Sequence, residues 1–364
     1  LGGEPFRLSR ASPMVELRHA RLEALGGHRH QFRHRLQVPV GVGHHRVTDV
    51  GRQRQHRRVH VDALFVGGHL HVARPVRLEG LQRSQQLLEK AFAADGISIQ
   101  WNYFKGAGPV INEAFANGQV DFAYLGDLAA IIGKANGVDT RLLAATGRGI
   151  KHYLGVVPGS GIKTLQDLKG KRVAIFRGTA TQLSFDAALA SQGLSEKDLK
   201  VINLDFNAAV AALAAKQIDA SWGSSGLSAL QAKGLAELPL NTKDLGGAGS
   251  VQSVLVGTGK FVDAHPEAVA KLLKAQQQAV EWLTQDSNKA AYVQLVSGLA
   301  SYPPVILTQD LQDQKLSEVF PSTLDPVFLG SLQDKVDLAA QQKLIRKPFK
   351  VNDWVAPELA AAKL

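Results

Sequence analysis

Residues 117–123 read Asn117-Gly118-Gln119-Val120-Asp121-Phe122-Ala123, and their pattern recurs as Ala215-Lys216-Gln217-Ile218-Asp219-Ala220-Ser221. In both copies a helical pattern ends and a short apolar strand begins around a shared Gln-x-Asp. The two Asp residues are 98 positions apart, and Gly96 and Gly193, which each follow a helical pattern, are 97 apart. Two nearly equal shifts predict two lobes of like topology.

Apolar periodicity extends the repeat in both directions. The first copy predicts helices at 84–94, 110–117 and 128–134 and strands at 97–104 and 120–124. The second predicts helices at 183–191 and 208–216 and strands at 172–176, 201–204 and 218–222. A long amphipathic helix is expected at 264–283. Alternating strands and helices predict an α/β fold with mostly parallel sheets flanked by helices.

One element of the repeat is weak. The strand at 173–176 should have a counterpart at 76–79, where Val76-Arg77-Leu78-Glu79 is a poor strand. We therefore expect the first strand of the first lobe to be degraded or replaced.

Residues 1–80 differ in composition from the rest of the chain. They contain 14 Arg, no Lys and 10 of the 12 His, and they lack Ile, Asn, Tyr and Trp. They carry eight of the ten net positive charges, so the remainder is close to neutral. Lys, Ile, Asn and Tyr have AT-rich codons, and their joint absence is typical of GC-rich DNA translated out of frame. We interpret 1–82 as an atypical Arg/His-rich segment that is disordered or out-of-frame.

Two other interpretations of this segment stay open. The first is a basic arm that binds nucleic acid or an anionic surface. Because no helix-turn-helix accompanies it, we expect no nucleic-acid partner. The second is a metal site built from the pairs His28/His30, His44/His45 and His69/His71. No carboxylate or Cys framework accompanies these pairs, which counts against a metal site.

Composition excludes several function classes. The chain has no Cys, which excludes disulfides and thiolate metal sites. No apolar run reaches membrane-spanning length, and no signal peptide is visible at Leu1. Catalytic motifs are weak as well, because Gly223-Ser224-Ser225-Gly226 lacks the spacing of a nucleophile elbow and only His152 and His265 follow the basic segment. We expect no enzyme, no metal and no cofactor.

Three loops are candidate ligand sites, because ligands bind open α/β sheets at the carboxyl ends of strands. In Arg177-Gly178-Thr179-Ala180-Thr181-Gln182, glycine, two hydroxyls and a cation lead into a helix start that suits an oxyanion. The alternative is an ordinary N-cap at Thr179 or Thr181. Asp127, after Gly126, is either an N-cap or a partner for a ligand ammonium group. Trp222-Gly223-Ser224 ends a strand with an aromatic ring and a hydroxyl, although Trp222 also suits the core.

From about residue 83 to residue 364, the chain resembles the periplasmic solute-binding proteins for aliphatic sulfonates, taurine and nitrate. The resemblance rests on the first repeated segment, 117–122, and on residues 165–174. It rests further on Phe104-Lys105-Gly106-Ala107-Gly108-Pro109, Leu125-Gly126-Asp127 and Phe349-Lys350-Val351-Asn352-Asp353-Trp354-Val355. The family's first strand usually ends in a Gly-aromatic-Gln motif, of which Gly80-Leu81-Gln82 remains.

The resemblance implies a two-lobed periplasmic-binding-protein (type II) fold. Lobe 1 would comprise 83–156 and 254–364, lobe 2 would comprise 157–253, and crossing strands would lie near 153–157 and 253–257. Together with the loop analysis, it implies a ligand site at Gln82, Gly108, Gly126, Asp127, Arg177, Gly178, Thr179, Thr181, Trp222 and Ser224.

The implied function is capture of a small anion, an aliphatic sulfonate or taurine, and its delivery to the membrane permease of an ABC importer. A periplasmic location and a monomer go with this function. The alternative is an enzyme on the same fold, similar to desulfinases or thiamine-pyrimidine synthases, that acts on a sulfur or pyrimidine compound through reactive Cys or His.

Overall fold

The computed structural model describes residues 58–62, 85–102, 104, 107–300, 303–321, 323–357 and 359. The chain divides into two units, Leu1–Gln53 and Arg54–Leu364, and every described residue lies in the second. The strands are β1 Arg58–Asp62, β2 Ser98–Asn102, β3 Phe122–Gly126, β4 Thr140–Ile150, β5 Tyr153–Val156, β6 Arg172–Ile175, β7 Lys200–Asn203, β8 Ala220–Gly223, β9 Glu237–Asn241 and β10 Val251–Thr258. The helices are α1 Leu87–Ala93, α2 Ala107–Ala116, α3 Asp127–Ala135, α4 Ala180–Ser191, α5 Phe206–Ala214, α6 Ser225–Ala232, α7 Gly259–Ala264, α8 Pro266–Leu283, α9 Lys289–Ala300, α10 Pro304–Leu311, α11 Leu316–Val319 and α12 Pro326–Gln341.

The strands form two five-stranded sheets of the same topology. Sheet 1 has the order β2-β1-β3-β10-β4 and sheet 2 the order β7-β6-β8-β5-β9. In each sheet three strands are parallel, and the fourth runs antiparallel to both of its neighbours. The part of the chain built on sheet 1 is called lobe 1 below, and the part built on sheet 2 is called lobe 2. The repeat in the sequence is therefore a repeat of fold.

The first strand of lobe 1 differs from the sequence-based expectation. β1 lies between β2 and β3 and pairs in parallel with both, so residues 58–62 belong to the sheet although we assigned 1–82 to no element. The expected position, 76–79, lies outside the described residues. The strand was missed because Val59 and Val61 alternate with polar residues over only five positions, inside a segment judged by its overall composition.

The chain crosses between the lobes twice. After β4 it passes through Lys151 and His152 into β5, and after β9 it returns through residues 242–250 into β10. The two crossings are bonded to each other, because Thr242 N donates to the His152 carbonyl at 2.9 Å and His152 N donates to Thr242 Oγ1 at 3.3 Å. The expected crossing strands at 153–157 and 253–257 correspond to β5 and β10, which directly follow these connections.

A carboxylate beyond α10 joins both crossings. Asp313 pairs with Lys151 of the first crossing at 2.6 Å and with Lys243 of the second at 2.9 Å. Hydrogen bonds from these two ammonium groups lower the pKa of Asp313 to about 2. The C-terminal helices are thereby fixed to the connection between the lobes.

The predicted long helix is α8, and no helix among the described residues is both long and apolar enough to cross a membrane. The C-terminal segment completes lobe 1. Trp354 is fully buried, and its indole donates to Thr140 Oγ1 at 3.1 Å. Its carbonyl accepts from Leu142 N at 2.8 Å, which extends the edge of β4.

Trp354→Ala tests how far lobe 1 depends on this segment. We expect the free energy of unfolding to fall by about 3–5 kcal/mol, because the substitution leaves a large cavity and removes a buried hydrogen bond. Urea denaturation followed by circular dichroism measures it. Val327→Ala, at a position that is 72% exposed, is the control. Equal midpoints for the two variants would contradict the expectation.

Candidate functional site

The helices that begin at the carboxyl ends of the parallel strands fall into two classes. α5 is capped by Asp205, whose carboxylate accepts from Ala208 N. In contrast, α3, α4 and α6 begin at Gly126, Thr179 and Ser224 without a side-chain cap. The first N–H groups of a helix have no acceptor within the helix, and the helix dipole favours an anion at that end. At α3 one of these groups is already bonded, because Asp127 Oδ1 accepts from Leu128 N at 2.7 Å. The remaining N–H groups at the three helix starts are neutral hydrogen-bond donors that suit an anion.

The lobes meet at Gly178, which contacts Pro109 of lobe 1, while Gly108 packs against Ala129 within lobe 1. A Cβ on Gly178 would lie 3.1 Å from Pro109 Cγ, and Gly178 has a φ of +75°. A Cβ on Gly108 would lie 2.1 Å from Ala129 Cβ. Gly108 has no room for a side chain, and a Cβ on Gly178 would crowd Pro109. Gly178 also requires a backbone conformation that L residues rarely adopt. The start of α2 in lobe 1 thus faces the turn before α4 in lobe 2.

Helix α4 packs against both lobes. Phe185, Ala188 and Leu189 belong to the apolar core of lobe 2, whereas Leu183 belongs to the core of lobe 1. The Ser184 hydroxyl donates to the Gly249 carbonyl in the second crossing. Trp222 donates from Nε1 to Ser184 Oγ at 2.8 Å. Trp222 itself is 2% exposed and belongs to the core of lobe 2, which matches the alternative in the sequence analysis.

The two threonine hydroxyls have partners within the protein. Thr179 Oγ1 donates to the Phe176 carbonyl at 2.7 Å. Thr181 Oγ1 lies 3.1 Å from His152 Nε2. Since His152 Nδ1 lies 3.0 Å from the Lys151 carbonyl, which only accepts, we assign the hydrogen to Nδ1. In this tautomer Nε2 accepts from the Thr181 hydroxyl. Both threonine hydroxyls are therefore occupied within the protein and shape the helix start.

Cations around the site are also paired. Arg177 donates to Glu196 at 2.6 Å, Arg148 pairs with Asp325, and Lys151 pairs with Asp313. The predicted cation Arg177 is therefore turned to a carboxylate of its own lobe.

Asp127 is fully buried and is the first residue of α3, not its N-cap. Its carboxylate pairs with Lys335 at 2.9 Å and accepts from Gln252 N at 2.9 Å. It joins α3 to β10 and α12, and this structural role accounts for its charge. Gln82 lies outside the described residues. Within the described part of the chain, no group of three or more His, Asp or Glu side chains is arranged to hold a metal ion.

Two residues near the predicted turn were missed by the sequence analysis. Gly178 N donates to Gln182 Oε1 at 2.9 Å, and Gln182 Nε2 donates to Glu196 Oε1 at 3.0 Å. Asp186 lies one helical turn beyond Gln182 and is hydrogen-bonded to Glu196. Burial, together with the charge and hydrogen bond of Glu196, raises the pKa of Asp186 to about 7, against a smaller opposite effect of Arg177. The sequence did offer one signal for these two residues. Gly178, Gln182 and Asp186 are each four positions apart, a spacing that places side chains on one face of a helix.

Comparisons with known proteins identify the family and the fold of the chain. The NMT1/THI5-like family profile matches residues 92–290. The chain belongs to the NMT1/THI5-like family. A Bacillus subtilis (strain 168) relative, provisionally named an aliphatic sulfonates-binding protein, is 29% identical over 272 residues, covering 73% of this chain and 79% of its own. In Escherichia coli (strain K12), the taurine-binding periplasmic protein is 27% identical over 213 residues, covering 55% of this chain and 65% of its own.

Among solved structures, the alkanesulfonate-binding protein SsuA from Xanthomonas axonopodis pv. citri, bound to MOPS, is similar with a TM-score of 0.68 and 25% identity. The match covers 82% of this chain and 97% of that one. The chain thus has the two-lobed periplasmic-binding-protein fold. The desulfurization enzyme DSZB, with a TM-score of 0.60 and 16% identity over 84% of this chain and 98% of its own, shares the fold alone.

Asp186→Asn tests the buried carboxyl pair. The folded protein keeps the Asp186 proton up to about pH 7, whereas an unfolded chain releases it near pH ~4. This group's contribution to stability is therefore complete below about pH 4 and is lost as the pH rises to about 7.

We expect the Asp186→Asn variant to lose less thermal stability than the wild type between pH 5 and pH 8, because an amide does not ionise. Melting temperatures in a pH series measure this. The exposed Asp334→Asn variant should follow the wild type, and identical pH profiles for all three proteins would contradict the assignment.

Proposed function

We propose that this protein is the solute-binding component of an ABC importer and that its ligand is a small sulfonate. It captures the ligand between the two lobes in the periplasm and delivers it to the membrane permease. The observation that carries the proposal is the start of α4, which has no side-chain cap and lies against the start of α2 in lobe 1, in a region whose cations are paired to carboxylates.

The chemistry of sulfonates fits such a site. A sulfonate keeps its negative charge at neutral pH, and its three oxygens accept hydrogen bonds but donate none. Backbone N–H groups at a helix start only donate, and they meet an oxyanion without a full counter-charge. Hydrogen bonds to an ionised acceptor are also about twice as strong as neutral ones. The names of the Bacillus and Xanthomonas relatives support the same class of ligand.

Binding would drive closure by population shift. A ligand that contacts α3 in lobe 1 and α4 in lobe 2 makes its full set of hydrogen bonds only when the lobes meet. The closed form would then be the one that the permease recognises.

We also propose that the protein catalyses no reaction on its ligand. The chain has no Cys, while the DSZB structure that contains biphenyl-2-sulfinic acid is that of a cysteine-to-serine mutant. The buried His152 is held by the Lys151 carbonyl and Thr181, in a structural position between the lobes.

Gly178→Ala tests the site. Gly159 is a matched control, because it also has a positive φ, +73°, but a Cβ there would meet nothing within 4 Å. Both substitutions impose similar backbone strain, about 1 kcal/mol. Only Gly178→Ala should push the turn before α4 away from Pro109 and from the ligand.

We expect Gly178→Ala to weaken methanesulfonate binding at least about tenfold, which corresponds to ~1.4 kcal/mol, and Gly159→Ala to leave it unchanged. Isothermal titration calorimetry gives both affinities. Equal affinities for the two variants would remove this turn from the site, and a wild-type protein that binds no sulfonate would refute the proposed ligand class.

A further inference from the structure

A chain of hydrogen bonds inside lobe 2 holds the turn before α4. Gly178 N donates to Gln182 Oε1 at 2.9 Å, and Gln182 Nε2 donates to Glu196 Oε1 at 3.0 Å. The other Glu196 oxygen accepts from Arg177 Nη2 at 2.6 Å. Two consecutive residues of the turn are therefore tied to one carboxylate, Arg177 directly and Gly178 through the amide of Gln182.

Gln182 is placed to hold this turn and is shielded from solvent. It is the third residue of α4 and is 3% exposed. Its backbone N–H donates to the Thr179 carbonyl at 2.9 Å, so its backbone and its side chain close the same turn. A buried amide side chain needs a partner for its oxygen and for its nitrogen. Here the oxygen meets the turn and the nitrogen meets Glu196.

A second carboxyl group lies at the far end of this chain of bonds. Asp186 is one helical turn beyond Gln182 and is hydrogen-bonded to Glu196. Burial and the Glu196 carboxylate raise the pKa of Asp186 to about 7, against a smaller opposite effect of Arg177. The amide of Gln182 is thus the neutral link between the turn and a cluster of charged groups made of Glu196, Asp186 and Arg177.

The position of the turn matters because it leads into the uncapped start of α4. Gly178 has a φ of +75° and faces Pro109 of lobe 1. Donors that are already fixed in place need no ordering when a ligand binds, and this preorganisation favours affinity. A residue that fixes the turn therefore contributes to binding without touching the ligand.

We propose that Gln182 is a positioning residue for the ligand, because its amide fastens the turn at 177–179 to Glu196 and so fixes the start of α4. The proposal rests on the proposed function and adds a residue that acts through the turn. It requires both ends of the amide, the oxygen that accepts from Gly178 N and the nitrogen that donates to Glu196.

Gln182→Leu removes both ends at similar size. It leaves Gly178 N without its acceptor, and we expect methanesulfonate binding to weaken at least about tenfold. Gln276→Leu is the matched control. Gln276 is also a buried helical glutamine, 4% exposed, and its side chain accepts from Tyr124 and donates to Ala145 in lobe 1. The control should lose stability and keep the wild-type affinity in isothermal titration calorimetry.

Gln182→Glu separates the two ends of the amide, because it keeps an acceptor for Gly178 N and makes the donor depend on pH. When the introduced carboxyl is protonated, it can donate to Glu196 as the amide does. When it is ionised, it adds a like charge beside Glu196 and Asp186, and this repulsion moves the turn. Burial and these neighbours raise the pKa of the introduced group, so the protonated form is accessible at pH 5.

We expect Gln182→Glu to bind methanesulfonate as the wild type does at pH 5 and at least about tenfold more weakly at pH 8. The wild type should change less over the same range. Methanesulfonate stays ionised throughout, so a change in affinity arises in the protein. Circular dichroism shows whether each variant is folded, and the pH series of Gln182→Glu decides if Gln182→Leu does not fold.

The outcomes separate this proposal from the proposed function. Wild-type affinity in Gln182→Leu, or an equal loss in Gln276→Leu, would refute the positioning role and leave the sulfonate site standing. A Gln182→Glu variant whose affinity follows the wild type from pH 5 to pH 8 would also refute it, because the donor to Glu196 would then be dispensable. If the wild type binds no sulfonate, both proposals fail.

Discussion

The first two turns of helix α4 are the constraint on which the two-lobed arrangement depends. Gly178 meets Pro109, Thr181 meets His152 in the first crossing, and Leu183 enters the core of lobe 1. Ser184 bonds the second crossing at Gly249. One helix of lobe 2 therefore contacts lobe 1 and both connections at once. Because packed cores and interfaces do not deform continuously, movement at this helix start moves the whole lobe.

Charge in the molecule is arranged around this helix and kept out of its N-terminus. Arg177 is paired to Glu196 and Asp127 to Lys335, so the groups left to meet an anion are backbone N–H groups. Beneath the turn, Gln182 connects Gly178 to the Asp186–Glu196 pair. Burial and the Glu196 carboxylate raise the pKa of Asp186 to about 7, which limits the negative charge close to the proposed anion site.

Periodicity in the sequence predicted the two-lobed α/β fold, the repeat and the position of the turn before α4. The place of Gly178 in a turn could be predicted because the strand before it and the helix after it are both visible in the local sequence. Periodicity could not show that the hydroxyls of Thr179 and Thr181 are turned to Phe176 and His152, since His152 is far from them along the chain. Strand β1 was missed because it lies within the Arg/His-rich segment. The partners of Asp127 and Trp222 are on α12 and α4, far from them along the chain. Residues that come into contact only in the tertiary fold have no characteristic spacing in the sequence by which to predict the contact.

The central claim is that a sulfonate closes the two lobes, and a distance measurement between them tests it most directly. The chain has no Cys, so Val327→Cys in lobe 1 and Lys169→Cys in lobe 2, both exposed, can be spin-labelled without background. Double electron–electron resonance then gives the distribution of distances with and without saturating 1-propanesulfonate. The account predicts a broad distribution in the free protein that becomes narrower and shifts when the ligand binds. The same distribution in both samples would contradict it.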